Sequence, residues 1–223
     1  MTRVWLIRHG EPAEEARHRC YGSLDVGLSE KGREQMEHVA AYLKSEPIAA
    51  IYTSPLSRAL GGANILAAAV SDAIVEIAED LREIDFGDFE GLTYDEIAVR
   101  NPETYREWME NPTGVLFPNG ESFTEMRVRV LRAFESIRRE HLGQTIAIVS
   151  HGGVNRILLA DALQIPDNCI FRLAQDYAAI NLLTFIEESP VVRLVNFVAP
   201  GPFGATTREG VIAATATNLV VSG

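Results

Sequence analysis

The chain has 223 residues and a formal net charge of −11, with 47% hydrophobic and 23% charged residues, a balance that suits one large globular domain with a sizeable core and disfavours nucleic acid and anionic membranes as partners. No apolar run approaches the length of a membrane span, and the N-terminus lacks the basic, long apolar and small-residue pattern of a signal peptide. The two cysteines, Cys20 and Cys169, form no metal-spaced pair, and lone thiols in an untargeted chain point to the cytoplasm.

Val4-Trp5-Leu6-Ile7 reads as a buried strand, and it runs straight into Arg8-His9-Gly10. A loop over Leu24–Ser29 follows, with Ser29 placed to cap a helix. Met36, Val39, Ala40 and Leu43 give that helix its apolar stripe, and Pro47 stops it. Ala49–Tyr52 predicts a second strand, Leu56 to Val70 an alanine-rich helix, and Ile74–Ile77 a third short strand. Glu79–Gly91 is acidic and loop-like, and the Asn-Pro steps at Asn101 and Asn111 divide the next stretch into short helices. After a turn at Pro118-Asn119-Gly120, Ser122 and Glu125 form a capping-box pattern. The helix it opens carries Met126, Val130, Ala133, Phe134 and Ile137 on one face and ends before Gly143. Thr145–Val149 is a strand ending in Ser150-His151-Gly152-Gly153, and Val154–Leu163 a helix. Ala179–Ile186 and Val191–Val198 read as two strands joined by a turn at Glu187–Pro190, a hairpin at the sheet edge. The alternation of strand and helix predicts an α/β fold: a three-layer α/β/α sandwich, its central sheet mostly parallel with an antiparallel edge strand. Residues 1–198 form the expected domain, and residues 199–223, dominated by Gly, Pro, Ala and Thr, a C-terminal tail.

Two strands each end in His-Gly, so two imidazoles can meet at the carboxyl edge of the sheet, where open α/β sheets bind ligands. Beside them stand Ser54-Pro55-Leu56-Ser57-Arg58-Ala59 and Leu81-Arg82-Glu83-Ile84-Asp85-Phe86-Gly87. Two arginines, two histidines and a carboxylic acid are the inventory that phosphoryl transfer requires. Guanidinium groups fork onto phosphate oxygens. One neutral imidazole attacks phosphorus, the other stabilises charge on the equatorial oxygens, and the acid protonates the leaving oxygen. The glycines let a bare backbone approach phosphate. With cations doing this work no metal or other cofactor is needed, and no residues have metal-motif spacing. His18, His38 and His141 lack such a context and read as surface or helix-face residues.

All four motifs, in this order, resemble the histidine phosphatase superfamily, the phosphoglycerate-mutase-like branch that also contains fructose-2,6-bisphosphatase and α-ribazole phosphatase. The resemblance runs from about Val4 to Phe197. It implies His9 as the phosphate-accepting nucleophile, Arg8 and Arg58 as phosphate clamps, His151 as the second pocket imidazole and Glu83 as the proton donor. The acidic neighbours Glu79, Asp80, Asp85, Asp88 and Glu90 compete for that last role, and the Leu-Arg-Glu-Ile context favours Glu83. Tyr21-Gly22-Ser23-Leu24-Asp25 resembles the family's substrate loop, with Arg19 at its usual arginine position, which implies Arg19, Tyr21, Gly22 and Gly152 as further substrate contacts. The chain departs from the family pattern at Pro12, where Thr is usual, at Glu15, where a phosphate-contacting Asn is usual, at Gly62 for Thr and at Phe89 for Trp.

The implied activity is a metal-independent phosphatase hydrolysing a small phosphorylated metabolite. A phosphoglycerate-type mutase is the runner-up, but the segment between Glu83 and His151 is compact, and a mutase must exclude water while its intermediate reorients. A phospho-ligand binding module is the third reading, and it needs neither a nucleophile nor a proton donor. The sequence leaves the substrate and the oligomeric state open.

Overall fold

Strand β1 (Thr2–Arg8) has four successive buried apolar residues because it is sandwiched from both sides. Its odd and even side chains go to different cores: Val4 and Leu6 to one, Trp5 and Ile7 to the other. The same division runs through β4 (Thr145–Ser150), where Ile146 and Ile148 face the first core and Ala147 and Val149 the second. Each such buried Val, Leu or Ile side chain stabilises the fold by roughly 1.5–3 kcal/mol relative to exposure. The computed structural model describes residues 1–70 and 73–201.

The second core is closed by α1 (Glu30–Leu43) and α2 (Ser57–Ala69), which flank β2 (Ile48–Thr53) in the chain. Met36, Val39, Ala40 and Leu43 are buried, as the stripe predicts, and Ser29 Oγ accepts from the Gly32 N–H at 2.9 Å as the expected cap. After β3 (Ile74–Ile77) come α3 (Tyr94–Arg100) and α4 (Pro102–Glu110), which share Asn101 as a joint. The first core is covered chiefly by α5 (Phe123–Glu140) and α6 (Gly152–Leu163). The Ser122–Glu125 capping box is present, and Thr93 with Glu96 forms a second one at α3.

Strands β5 (Ala179–Ile186) and β6 (Ser189–Val198) complete a six-stranded sheet in the order β3-β2-β4-β1-β5-β6. The pairs among β3, β2, β4 and β1 are parallel, while β5 is antiparallel to both β1 and β6. The α/β/α sandwich and the edge hairpin are as expected; the antiparallel strand is β5, one place in from the rim, and β6 is outermost. Among the described residues no helix is long and apolar enough to cross a membrane. The expected tail lies, from residue 202 onward, outside the described residues.

Candidate active site

Parallel pairing places Arg8 directly beside Ser150, so β1 and β4 end level and deliver His9 and His151 as neighbours. The His9 N–H donates to the Ser150 carbonyl at 2.9 Å, and the two imidazole centroids are 5.2 Å apart at an interplanar angle of 64°. Strand β2 ends at the same edge: Thr53 pairs with Val149, and the next residue, Ser54, sets its hydroxyl 2.8 Å from His151 Nε2. Arg58 follows on the first turn of α2 and is fully buried. Three strand ends and one helix start thus converge, with the sheet's hydrogen bonds fixing their heights.

Both histidines are buried. Burial, reinforced by the Arg58 and Arg8 charges, holds both well below the usual imidazole range, and His9 lowers His151 further. Both rings are therefore neutral at neutral pH. His9 Nδ1 lies 2.7 Å from the Gly10 carbonyl, an acceptor only, so Nδ1 carries the proton and Nε2 keeps its lone pair.

The two guanidinium groups are held from behind. Arg8 Nη1 donates to the Gln175 carbonyl, and its Cζ lies 4.2 Å from the centroid of the Tyr177 ring. Gln175 is fixed by a reciprocal amide pair with Asn181 on β5, at 2.9 Å in each direction. Arg58 donates to the carbonyls of Leu24 (2.8 Å) and Gly22 (2.6 Å) and lies 5.2 Å from the Tyr21 ring centroid. Tyr21 and Tyr177 are joined hydroxyl to hydroxyl at 2.7 Å, forming one wall with a guanidinium at each ring. Arg8 Nε, Arg58 Nε and His151 Nδ1 are buried without a hydrogen-bond partner among the described residues.

Glu83 reaches the same point from the far side. Its carboxylate accepts from the Gly153 N–H and the Ile84 N–H, both at 3.0 Å. A Cβ on Gly153 would stand 2.3 Å from Glu83 Oε1, so only glycine admits this contact. Gly10 serves packing instead: a Cβ there would meet the Gly32 carbonyl at 2.2 Å, in the first turn of α1. The loop bearing Glu83 is pinned by Arg129, which donates to the carbonyls of Asp80, Arg82 and Glu83 and pairs with Glu121 at 2.6 Å.

Four of the five competing carboxylates are engaged elsewhere. Asp85 accepts from Ser23 Oγ and the Gly87 N–H, Asp88 from Asn119, and Asp80 pairs with Arg132. Glu90 accepts from the backbone N–H groups of Gly22, Ser23, Leu24 and Phe86, clasping the Tyr21–Asp25 loop whose carbonyls Arg58 holds. Asp25 in turn accepts from the Ser57 N–H and hydroxyl.

Arg8, His9, Arg58, Glu83 and His151 come together, with Tyr21, Gly22 and Gly152 beside them. Arg19 does not join them: it is exposed, and its Nη1 donates to the Gly91 carbonyl at 2.7 Å, tying two loops together. Glu15 is exposed on the single turn Glu14–Ala16. Sequence reasoning missed Tyr177, which lies in no motif, and Arg156, which does have a sequence signal. Four residues after Gly152 on a helix, Arg156 must rise over the same face. Its Nε donates to the Leu173 carbonyl at 2.9 Å, and burial, with Arg8 nearby, lowers it to about 10, so it stays charged at neutral pH. Among the described residues no three His, Cys, Asp or Glu side chains converge as a metal site requires.

The histidine phosphatase superfamily (branch 1) matches residues 4–198. The chain belongs to that superfamily. A bifunctional protein of Mycobacterium tuberculosis is 38% identical over 87% of this chain and 54% of its own length, so the chain spans about half the length of those mycobacterial relatives. Phosphoserine phosphatase 1 of Hydrogenobacter thermophilus is 31% identical over 88% of this chain and 92% of its own. Among solved structures, the α-ribazole phosphatase of Shigella flexneri superposes with a TM-score of 0.81 at 27% identity, covering 91% of this chain and 100% of that one. The three-layer fold described above is thus shared with that solved structure.

Proposed function

We propose that this histidine phosphatase is a phosphoric monoester hydrolase that acts on a small phosphorylated metabolite in the cytoplasm, through a phosphohistidine on His9. His9 Nε2 attacks phosphorus; the N–P bond forms as the ester P–O bond breaks, and Glu83 gives its proton to the leaving oxygen. A water then attacks the phosphohistidine. Glu83, now a carboxylate, takes the water's proton, the P–N bond breaks, and inorganic phosphate leaves. Arg8, Arg58 and His151 hold the three non-bridging oxygens as their charge grows. No step calls for a metal or cofactor, because two arginines already supply the positive charge.

One observation carries this reading: Arg8 Nε, Arg58 Nε and His151 Nδ1, all buried and all unpartnered, surround an imidazole whose tautomer leaves Nε2 free. Buried donors without partners cost free energy, and an anion of phosphate geometry satisfies them together. Transfer back to substrate, the mutase reading, is separated by the product. Incubated with a phosphate monoester, the wild type should release inorganic phosphate stoichiometrically with the alcohol; phosphorylated isomer without free phosphate would favour a mutase. A binding module would release neither.

A further inference from the structure

Ser54 stands just past the end of β2, in the Ser54–Ala59 motif whose arginine the reaction above uses and whose first serine it does not. Its hydroxyl is buried and has two neighbours: it accepts from the Leu56 N–H at 3.2 Å, and it lies 2.8 Å from His151 Nε2. Its backbone N–H donates to the Val149 carbonyl at 3.3 Å, which ties it to the strand that delivers His151. A serine hydroxyl has one proton to give. Among the described residues this hydroxyl meets no acceptor other than His151 Nε2, so the proton goes there. Were Nε2 the donor, the hydroxyl would accept twice and its own proton would be buried unpaired, at a cost in free energy. Burial and the Arg58 charge keep the His151 ring neutral, so it carries a single N–H. With Nε2 accepting, that N–H is on Nδ1.

Both pocket imidazoles are then Nδ1–H tautomers, turned opposite ways. His9 gives its Nδ1–H to the Gly10 carbonyl at 2.7 Å and keeps the Nε2 lone pair free. His151 gives its Nε2 lone pair to the Ser54 hydroxyl and leaves Nδ1 buried without a partner among the described residues. The two rings, with centroids 5.2 Å apart, thus offer one nucleophile and one donor to a single phosphoryl group. The tautomer of His151 decides the second role. A lone pair on Nδ1 would repel the oxygens whose charge grows in the transition state, and an N–H there stabilises them. Resting on the phosphatase reading, we propose that Ser54 is a positioning residue: its hydroxyl locks His151 in the Nδ1–H tautomer and so presents an N–H to the transferring phosphoryl group. The Leu56 N–H fixes the direction of that hydroxyl, so the start of α2, which supplies Arg58, also sets the proton on His151.

Proton–nitrogen correlation NMR of isotope-labelled histidine rings reads the tautomer directly, with no turnover needed. At neutral pH the wild type should show His151 with a protonated Nδ1 and an unprotonated Nε2, and Ser54→Thr, which keeps the hydroxyl, should match it. In Ser54→Ala the His151 signals should move toward the Nε2–H form, while those of His9, held by Gly10, stay. Turnover of p-nitrophenyl phosphate should follow the tautomer. In Ser54→Ala kcat should fall about tenfold or more, up to the roughly 10²–10³-fold that losing one such donor costs, with KM changed less. Ser54→Thr should recover most of that loss. A protonated Nε2 on His151 in the wild type would overturn the proposal, and that spectrum requires no variant. So would a fall in kcat with the His151 tautomer unmoved, the mark of a merely structural serine, and so would a moved tautomer with kcat intact. Wild type with no His9-dependent turnover would overturn the phosphatase reading and the role proposed for Ser54 with it, whatever the tautomer.

Discussion

At the scale of single residues, the pocket works by keeping its imidazoles neutral and its guanidinium groups unpaired. Burial, with Arg58 and Arg8 close by, depresses both histidines below the usual range. The unfolded chain protonates its histidines at the ordinary pKa, while the folded protein resists protonation. Their contribution to stability is thus fully present above about pH 6.5 and is lost as pH falls from there toward the lower folded values. Proton NMR of the ring resonances should show His9 and His151 failing to titrate near pH 6.5; ordinary titration of His9 would remove the neutral nucleophile. Arg8→Lys and Arg58→Lys should each cut kcat/KM about tenfold or more, since a point charge cannot fork onto two oxygens. Near-wild-type kinetics for Arg58→Lys would place it outside the phosphate site. Glu83→Gln should cost roughly 10²–10⁴-fold on alkyl phosphates, whose alkoxide needs a proton, and far less in the burst phase of an aryl phosphate, whose phenolate does not. Asp88→Asn, on the Asn119 side of the loop, is the control and should be mild. A crippled Asp88→Asn beside an active Glu83→Gln would reverse the assignment.

The residues so tested were legible because they are tied to strand ends and glycines, which sequence displays. Arg8-His9-Gly10 and Ser150-His151-Gly152 advertise themselves at the ends of apolar runs. Tyr177 was not legible, because nothing local distinguishes it: it reaches the pocket only because β5 lies beside β1. Arg19 misled for the converse reason. Its position in the loop matches a motif, yet the backbone turns it outward to the Gly91 carbonyl.

At the scale of elements, the strands and helices followed from periodicity and caps, while the ties between loops did not. The Tyr21–Asp25 loop is held at both ends of its peptide dipoles: Arg58 takes the carbonyls of Gly22 and Leu24, and Glu90 takes the N–H groups of Gly22, Ser23 and Leu24. In sequence, Glu90 is one acid among several; only the fold reveals it as a clasp between this loop and the one that carries Glu83. Glu90→Ala removes the acceptor from four backbone donors, each costing about 1–3 kcal/mol where water cannot replace it. Partial replacement by water should leave a net drop in Tm of several degrees, at about 2–4 °C per kcal/mol for a chain of this size, together with a raised KM. Differential scanning calorimetry and steady-state kinetics check both, and an unchanged Tm and KM would show that the loop holds its shape without the clasp. The Arg129–Glu121 pair that pins the Glu83 loop was equally hidden, since it joins α5 to backbone carbonyls more than forty residues away in the chain.

At the scale of the whole molecule, an acidic chain of net charge −11 concentrates Arg8, Arg58 and Arg156 around one sheet edge. A general negative surface discourages polyanions, while the buried cations select a small anion that can enter. Because these cations supply the charge that a metal ion would otherwise bring, turnover should persist in EDTA; activity lost in chelator and restored by a divalent ion would contradict that. The three-layer fold was legible as a whole because its strands are covered on both faces and so read as unbroken apolar runs. The order of the strands was not, since β4 inserts between β2 and β1 through contacts that no local pattern encodes. That insertion is nevertheless what brings His9 and His151 within 5.2 Å. Hydrolysis by this route passes through a covalent phosphoryl group on His9. Rapid quenching of the wild type with a phosphorylated substrate, followed by peptide mass spectrometry, should find an acid-labile, base-stable phosphate on His9 and none on His9→Ala, whereas label that survives in His9→Ala would contradict it.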